Sequence, residues 1–400
     1  MLRSNNESPS INGSANSFGK LLPANVKDTL LVFCASYLFF VLFFWLGSVL
    51  IPNKDSEIVP LSFPSVSQIV QNMNRSDTGW YLTIIEQGYE RKPFSLEKQA
   101  NWAFFPAYPL AVKLVAKSVS ADYVLVGCML SATFYLLALY ALWNLLAFDF
   151  DRETIFRTLL FLAFYPFAFD LVGFGPESLF LLCTCLSLYC ARKEKWIFAG
   201  LLGGIASATR PQGILLFIPL LYMYLSSRDF AWKRIDRHLL SLGLLPSGLL
   251  LFMLYLYRLT GNAFAFTDIQ KTWGNTISYP FSFLVQFLQS PKLISHYGWN
   301  PEFLSVVFTL TLVPILYWVW VRRAFPLEYR LFLTLHFLIL VSRTTSMSNL
   351  RYILGMFPYF LALGILGKNQ RFFLFVLLFF AGLLSLFLVL FANNYRIAIS

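Results

Sequence analysis

The sequence predicts an all-α polytopic membrane protein with about eleven transmembrane helices. Three observations carry this. Of 400 residues, 58% are hydrophobic, only 13% are charged and 43 are Phe, more apolar side chain than a soluble globule of this length can hide. Apolar runs recur at about 15 to 25 residues, close to the roughly 20 that a helix needs to cross the hydrocarbon core. The short alternating segments that would build a transmembrane barrel do not occur.

In chain order the expected spans are 29–51, 123–147, 154–172, 175–191, 196–209, 211–226, 238–259, 301–320, 328–343, 350–366 and 371–391. Residues 1–28 begin polar and rich in Ser and Asn, so they are expected to form a disordered cytoplasmic tail and not a cleaved signal peptide. Residues 29–400 are expected to form a single integral-membrane domain. The basic connections are 149–157, 191–195, 228–237, 321–323 and 368–371. With the N-terminus inside, all of them land on the cytoplasmic face, which accounts for the net charge of +11 without a nucleic-acid partner.

Segment 104–118 decides the parity. Its Lys113 and Lys117 lie four apart on one helical face, and counting it as a crossing would put Arg152 and Arg157 outside. It is expected to lie in the interface as an amphipathic helix, within a first outer loop covering 52–122. A second outer loop covers 260–300. The short pair 196–209 and 211–226 is expected to form a hairpin with Thr209-Arg-Pro-Gln-Gly213 at its outer tip.

Cys34, Cys128, Cys183, Cys185 and Cys190 all fall in apolar segments without metal-type spacing and are expected to be small buried hydrophobes. The sequons at Asn6, Asn12 and Asn74 are short patterns that carry no weight, and His296 reads as a solvated loop residue. The sequence has no Gly-rich phosphate loop, no Gly-x-Ser-x-Gly elbow and no His/Asp/Glu cluster with metal-ligand spacing, so no metal is expected.

This topology sorts the unusual polar residues onto the non-cytoplasmic face. They are Asp77, Glu86 and Glu90 in the first outer loop, Asp170 and Glu177 around Gly173-Phe-Gly-Pro176, Arg210 at the hairpin tip, and Arg343 and Arg351 around 344–349. Ionisable groups at membrane depth are costly unless paired or solvated, so their convergence suggests a site. Around Asp77, the residues Trp80, Tyr81, Ile84, Ile85 and Tyr89 recur at helical spacing. An Asp there serves as a helix N-cap or as a functional carboxylate. Arg210, fixed between Thr209 and Pro211, offers a fork of donors suited to phosphate, and Arg351 at the start of a span offers another. Glu177 suits the first turn of its helix whatever else it does.

These residues together resemble the PIG-V-type GPI mannosyltransferase 2 family, in particular its shorter prokaryotic members. The resemblance rests on Asp77-x-x-x-Tyr81, Gly88-Tyr89, Ala103-Phe-Phe-Pro106-x-x-Pro109, Glu177-Ser178, Thr209-Arg-Pro-x-Gly213, Trp273-Gly274, Arg351-Tyr352 and Phe357-Pro358. It implies a GT-C-like glycosyltransferase whose donor is a polyprenyl- or dolichyl-phosphate sugar, with the catalytic carboxylate in the first outer loop, here Asp77. The chain departs from that pattern at Ser76, where the family often has Trp, and at Gly175-Pro-Glu-Ser178, where it usually has Tyr-Ser/Thr-Glu-Ser.

The expected activity is therefore transfer of a sugar, mannose by resemblance, to an acceptor hydroxyl with inversion. Asp77 is the expected base, and Arg210 and Arg351 are expected to hold the donor phosphate. Tyr81, Trp102, Phe105, Glu177, Gln212 and Trp273 are expected to contact substrate, and for the aromatic residues packing is the open alternative. No cofactor is expected. The partners are the lipid-phosphate sugar, the bilayer and an acceptor glycolipid, glycan or protein. The expected location is the plasma membrane of a prokaryote or the endoplasmic reticulum of a eukaryote. The competing readings are a transporter or flippase of lipid-linked solutes, and a non-catalytic membrane subunit that binds lipid phosphate.

Overall fold

The computed structural model describes residues 22–51, 77–291, 294–295, 298–299, 301–346 and 348–393. The start of the expected tail, the sequons, Ser76 and His296 lie outside the described residues. The described chain is almost wholly helical, with one two-stranded pairing of β1 (Ile294–Ser295) and β2 (Gly298–Trp299).

Every expected span falls on a helix or a broken helix. Four are single helices long and apolar enough to cross a membrane: α1 (Ala24–Leu50), α4 (Tyr123–Leu146), α12 (Pro301–Arg322) and α16 (Gln370–Ala392). The others are shorter. They include α5 (Arg152–Ala163), α6 (Glu177–Arg192), α7 (Trp196–Thr209), α8 (Phe217–Ser226), α9 (Ser247–Thr260), α13 (Leu327–Val341) and the pair α14 (Asn349–Ile353) and α15 (Phe357–Leu366).

Proline and glycine explain most of the breaks. Pro211 opens a 3₁₀ turn, Pro211–Leu216, before α8; Pro246 separates the 3₁₀ turn Arg237–Leu244 from α9, and the two are bent by 46°. Gly355 and Met356 divide α14 from α15, which begins Phe357-Pro358. In the segment expected to be the first outer loop, Thr78–Glu86 (α2) and Ala107–Val119 (α3) are helical. The segment expected to be the second outer loop carries α10 (Ala265–Asp268) and α11 (Ser282–Gln289).

Helix α6 is central: it packs against α4 and α7, while α1 lies along α16 and α5 along α15. A single large apolar core runs through these helices. A second, smaller cluster clamps the first outer loop to α9. It contains Ile84, Tyr89, Trp102, Phe105, Phe252 and Leu256 among others. Polar groups lock the same loop: Trp102 Nε1 donates to the Glu90 carbonyl at 2.9 Å, and Tyr89 Oη donates to that of Phe104 at 2.7 Å.

The basic connections gather at one end of the helix bundle, tied by ion pairs. Arg152 bonds Asp28 at 2.7 Å, Arg192 bridges Asp149 and Glu328, and Arg228 bridges Glu194 and Asp236. The hairpin tip at Arg210 is set by a close approach, because a Cβ on Gly213 would overlap the backbone of Ala206. We expect Gly213→Ala to lower stability by about 1–3 kcal/mol, the range for overpacking a filled interior. Thermal unfolding in detergent should show this, and an unchanged midpoint would place the tip elsewhere.

Candidate active site

Four distant stretches converge at the other end of the helices. Asp77 precedes α2, Glu177 opens α6, Arg210 follows α7 and Arg351 lies in α14. Arg351 Nη1 is 2.6 Å from Asp77 Oδ2, and Arg351 Nε is 3.4 Å from Glu177 Oε1. Arg210 Nη2 pairs with the same Glu177 oxygen. The result is a continuous chain of charge, Asp77 to Arg351 to Glu177 to Arg210. Glu177 is only 4% exposed and Arg210 8%. At such burial an unpartnered charge costs several kcal/mol, which is why these residues meet.

Local structure explains how each arrives. Asp77 holds the N-cap position of α2, and its carbonyl accepts from the backbone N–H groups of Trp80 and Tyr81, but its side chain makes no capping hydrogen bond. Of the two roles open to it in the sequence, the carboxylate takes the ion pair. Glu177 can fold back over its turn because residue 175 is Gly; a Cβ there would overlap Glu177 Oε2. That turn is anchored by Ser131, whose Oγ donates to the Gly175 carbonyl at 3.2 Å and lies 3.0 Å from Tyr108 Oη. Arg210 is extended (φ −153°, ψ 146°), which ends α7 and turns the side chain out of the helix.

A third guanidinium completes the cluster. The centres of Arg210 and Arg343 lie 5.1 and 5.0 Å from the ring of Tyr352, within cation–π range. Arg343 Nε donates to Asn275 Oδ1 at 2.9 Å. The loop after α10 is laced to the same segment by backbone bonds from Ser278 to Ser342, Phe281 to Val341 and Thr344 to Thr276.

The aromatic candidates separate. Tyr81 is buried, edge-on to Phe104 and Tyr108; burial, then Glu177 and Asp77, push its phenol well above the usual range, so it stays protonated. Trp80 stacks on Phe104 at 5.7 Å and meets Trp273 edge-on at 5.8 Å, so Trp273 joins an aromatic wall on α2 beside Asp77. Trp102 and Phe105 instead fill the satellite core, the packing alternative already open for them. Gln212, two residues after Arg210, has its Oε1 buried without a hydrogen-bond partner.

Arg210 and Arg351, the residues expected to hold the donor phosphate, are each paired with a carboxylate: Arg210 with Glu177, and Arg351 with Asp77 and Glu177. Glu177, whose family motif is altered, is the hub of the cluster. Arg343 was visible in the sequence as a charged residue at a span end, without a role. Tyr352 appeared only as Arg351's neighbour, and Asn275 carried no sequence signal.

Comparison with known proteins bears on part of the chain. Residues 106–262 match the family model described as dolichyl-phosphate-mannose-protein mannosyltransferase, a stretch that holds Glu177 and Arg210 but not Asp77 or Arg351. No curated protein matches the sequence. Among solved structures, the Archaeoglobus fulgidus oligosaccharyltransferase tethered to an acceptor peptide aligns at a TM-score of 0.45 and 13% identity, over 92% of this chain and 55% of that one. Its apo form gives 0.44 and 12%, over 92% and 56%. The archaeal enzyme AglB from the same organism, with an inhibitory peptide and a dolichol-phosphate, gives 0.42 and 12%, over 91% and 55%. The chain thus spans about half the length of these structures.

Asp170 sits in the 3₁₀ turn Ala168–Leu171, beyond the end of α5.

Proposed function

We propose that the chain is a glycosyltransferase of the GT-C kind, moving a sugar from a polyprenyl- or dolichyl-phosphate donor to an acceptor hydroxyl on the non-cytoplasmic face. The observation that carries this reading is the carboxylate of Asp77. It is spent not on its own helix but on Arg351, beside the wall formed by Trp80, Phe104 and Trp273. The partial match to a mannosyltransferase family model supports it, and the resemblance to the PIG-V-type family gives mannose as the sugar.

In the proposed reaction Asp77 takes the proton of the acceptor hydroxyl as its oxygen forms a bond to the anomeric carbon. The bond from that carbon to the phosphate oxygen breaks on the opposite face, and the electron pair leaves with the lipid phosphate. Configuration therefore inverts, and the proton on Asp77 passes to solvent after the glycoside departs. Arg351 orients the base. With Arg210 it supplies positive potential toward the departing phosphate, and Glu177 fixes both guanidinium groups. Phosphate is a good leaving group, so the proposed chemistry uses no metal or cofactor. A transporter would place its ionisable groups near the middle of the spans, whereas these lie at helix ends.

The test is transfer of labelled sugar from a polyprenyl-phosphate donor in membranes. Asp77→Asn should lower kcat by about a hundredfold or more at normal protein levels, the scale of a lost general base. Full activity in that variant would overturn the assignment of the base.

A further inference from the structure

Arg210 and Arg351 are each committed to a carboxylate, which leaves a gap in the lipid-phosphate reading. Resting on that reading, we propose that Arg343 makes the direct ionic contact with the donor phosphate, while Arg210 and Arg351 act as positioning residues for Glu177 and Asp77.

Arg343 differs from its two neighbours in what it lacks. No carboxylate lies within ion-pair distance of it among the described residues, and its Nη1 is buried without a hydrogen-bond partner. A buried donor left in this state is destabilising, and a phosphate oxygen would satisfy it. The guanidinium is also held in place. Nε is fixed by Asn275 and the planar group lies over Tyr352, so little side-chain freedom remains to be lost on binding.

The ring under Arg343 is shared: Tyr352 also lies beneath Arg210, so the two guanidinium groups flank one aromatic face. The backbone pairing of Arg343 with Ile277 mounts it on the same outer loop that brings Trp273 to the aromatic wall. One loop thus joins a phosphate contact to a surface for a sugar ring.

Farnesyl phosphate, with farnesol as the uncharged control, tests this by tryptophan quenching of the purified protein in detergent, without requiring turnover. The wild type should bind farnesyl phosphate at least tenfold tighter than farnesol. Arg343→Ala should lose that preference, and Arg343→Lys should keep part of it. Equal binding of the two ligands by the wild type, or unchanged farnesyl phosphate binding in Arg343→Ala, would overturn the proposal. If Arg343→Ala fails to accumulate, Asn275→Ala removes the Nε acceptor and leaves the charge. A loss of about threefold would support the assignment, and an unchanged Kd would overturn it. Farnesyl phosphate binding that depends on Arg343, in a protein that transfers no sugar, would sustain this contact and overturn the transferase reading instead.

Discussion

Burying the Glu177 carboxylate among helix ends is the constraint on which the rest of the site depends. A carboxylate at 4% exposure must be met by positive charge, and it is met twice, by Arg210 and Arg351. Satisfying it fixes the hairpin tip after α7 and the short helix α14 against the start of α6. Arg351, once placed, also reaches Asp77 and so ties the start of α2 to the same cluster. The backbone around Glu177 is adapted to this: Gly175 makes room for the carboxylate, and Ser131 and Tyr108 hold the turn from the far side.

Charge is handled differently at the two ends of the helices. The end with the basic connections uses several ion pairs with at least one exposed partner, such as Arg152 with Asp28 and Arg228 with Glu194 and Asp236. Such pairs contribute little each to stability and serve mainly to tie loops together. At the opposite end the pairs are buried or half-buried and linked into one network. Buried networks of this kind are seldom a net gain in stability over an apolar core.

The fold was legible because its signals are local. Apolar length placed α1, α4, α12 and α16, and the breaks at Pro211, Pro246 and Gly355 are written beside them. Helix α3 was legible within the expected segment 104–118. The site was legible only as a set of odd residues on one face. Whether Asp77 caps its helix is decided by Arg351, far along the chain, and no local pattern carries that choice. The same holds for Arg210, whose pairing with Glu177 no local pattern carries. Trp102 is fully buried in the loop core, whereas Trp273 packs partly buried against it and meets Trp80 edge-on. Residue spacing does not contain that difference, because it arises from how the loops dock.

The central claim is that Glu177 and Arg210 form one interacting unit. A double-mutant cycle with Glu177→Gln and Arg210→Gln, read as unfolding free energy in detergent, tests it most directly. The account predicts a coupling energy of about 1–3 kcal/mol, with the double variant more stable than the sum of the two single losses allows. Additive losses, with a coupling below about 0.3 kcal/mol, would contradict it.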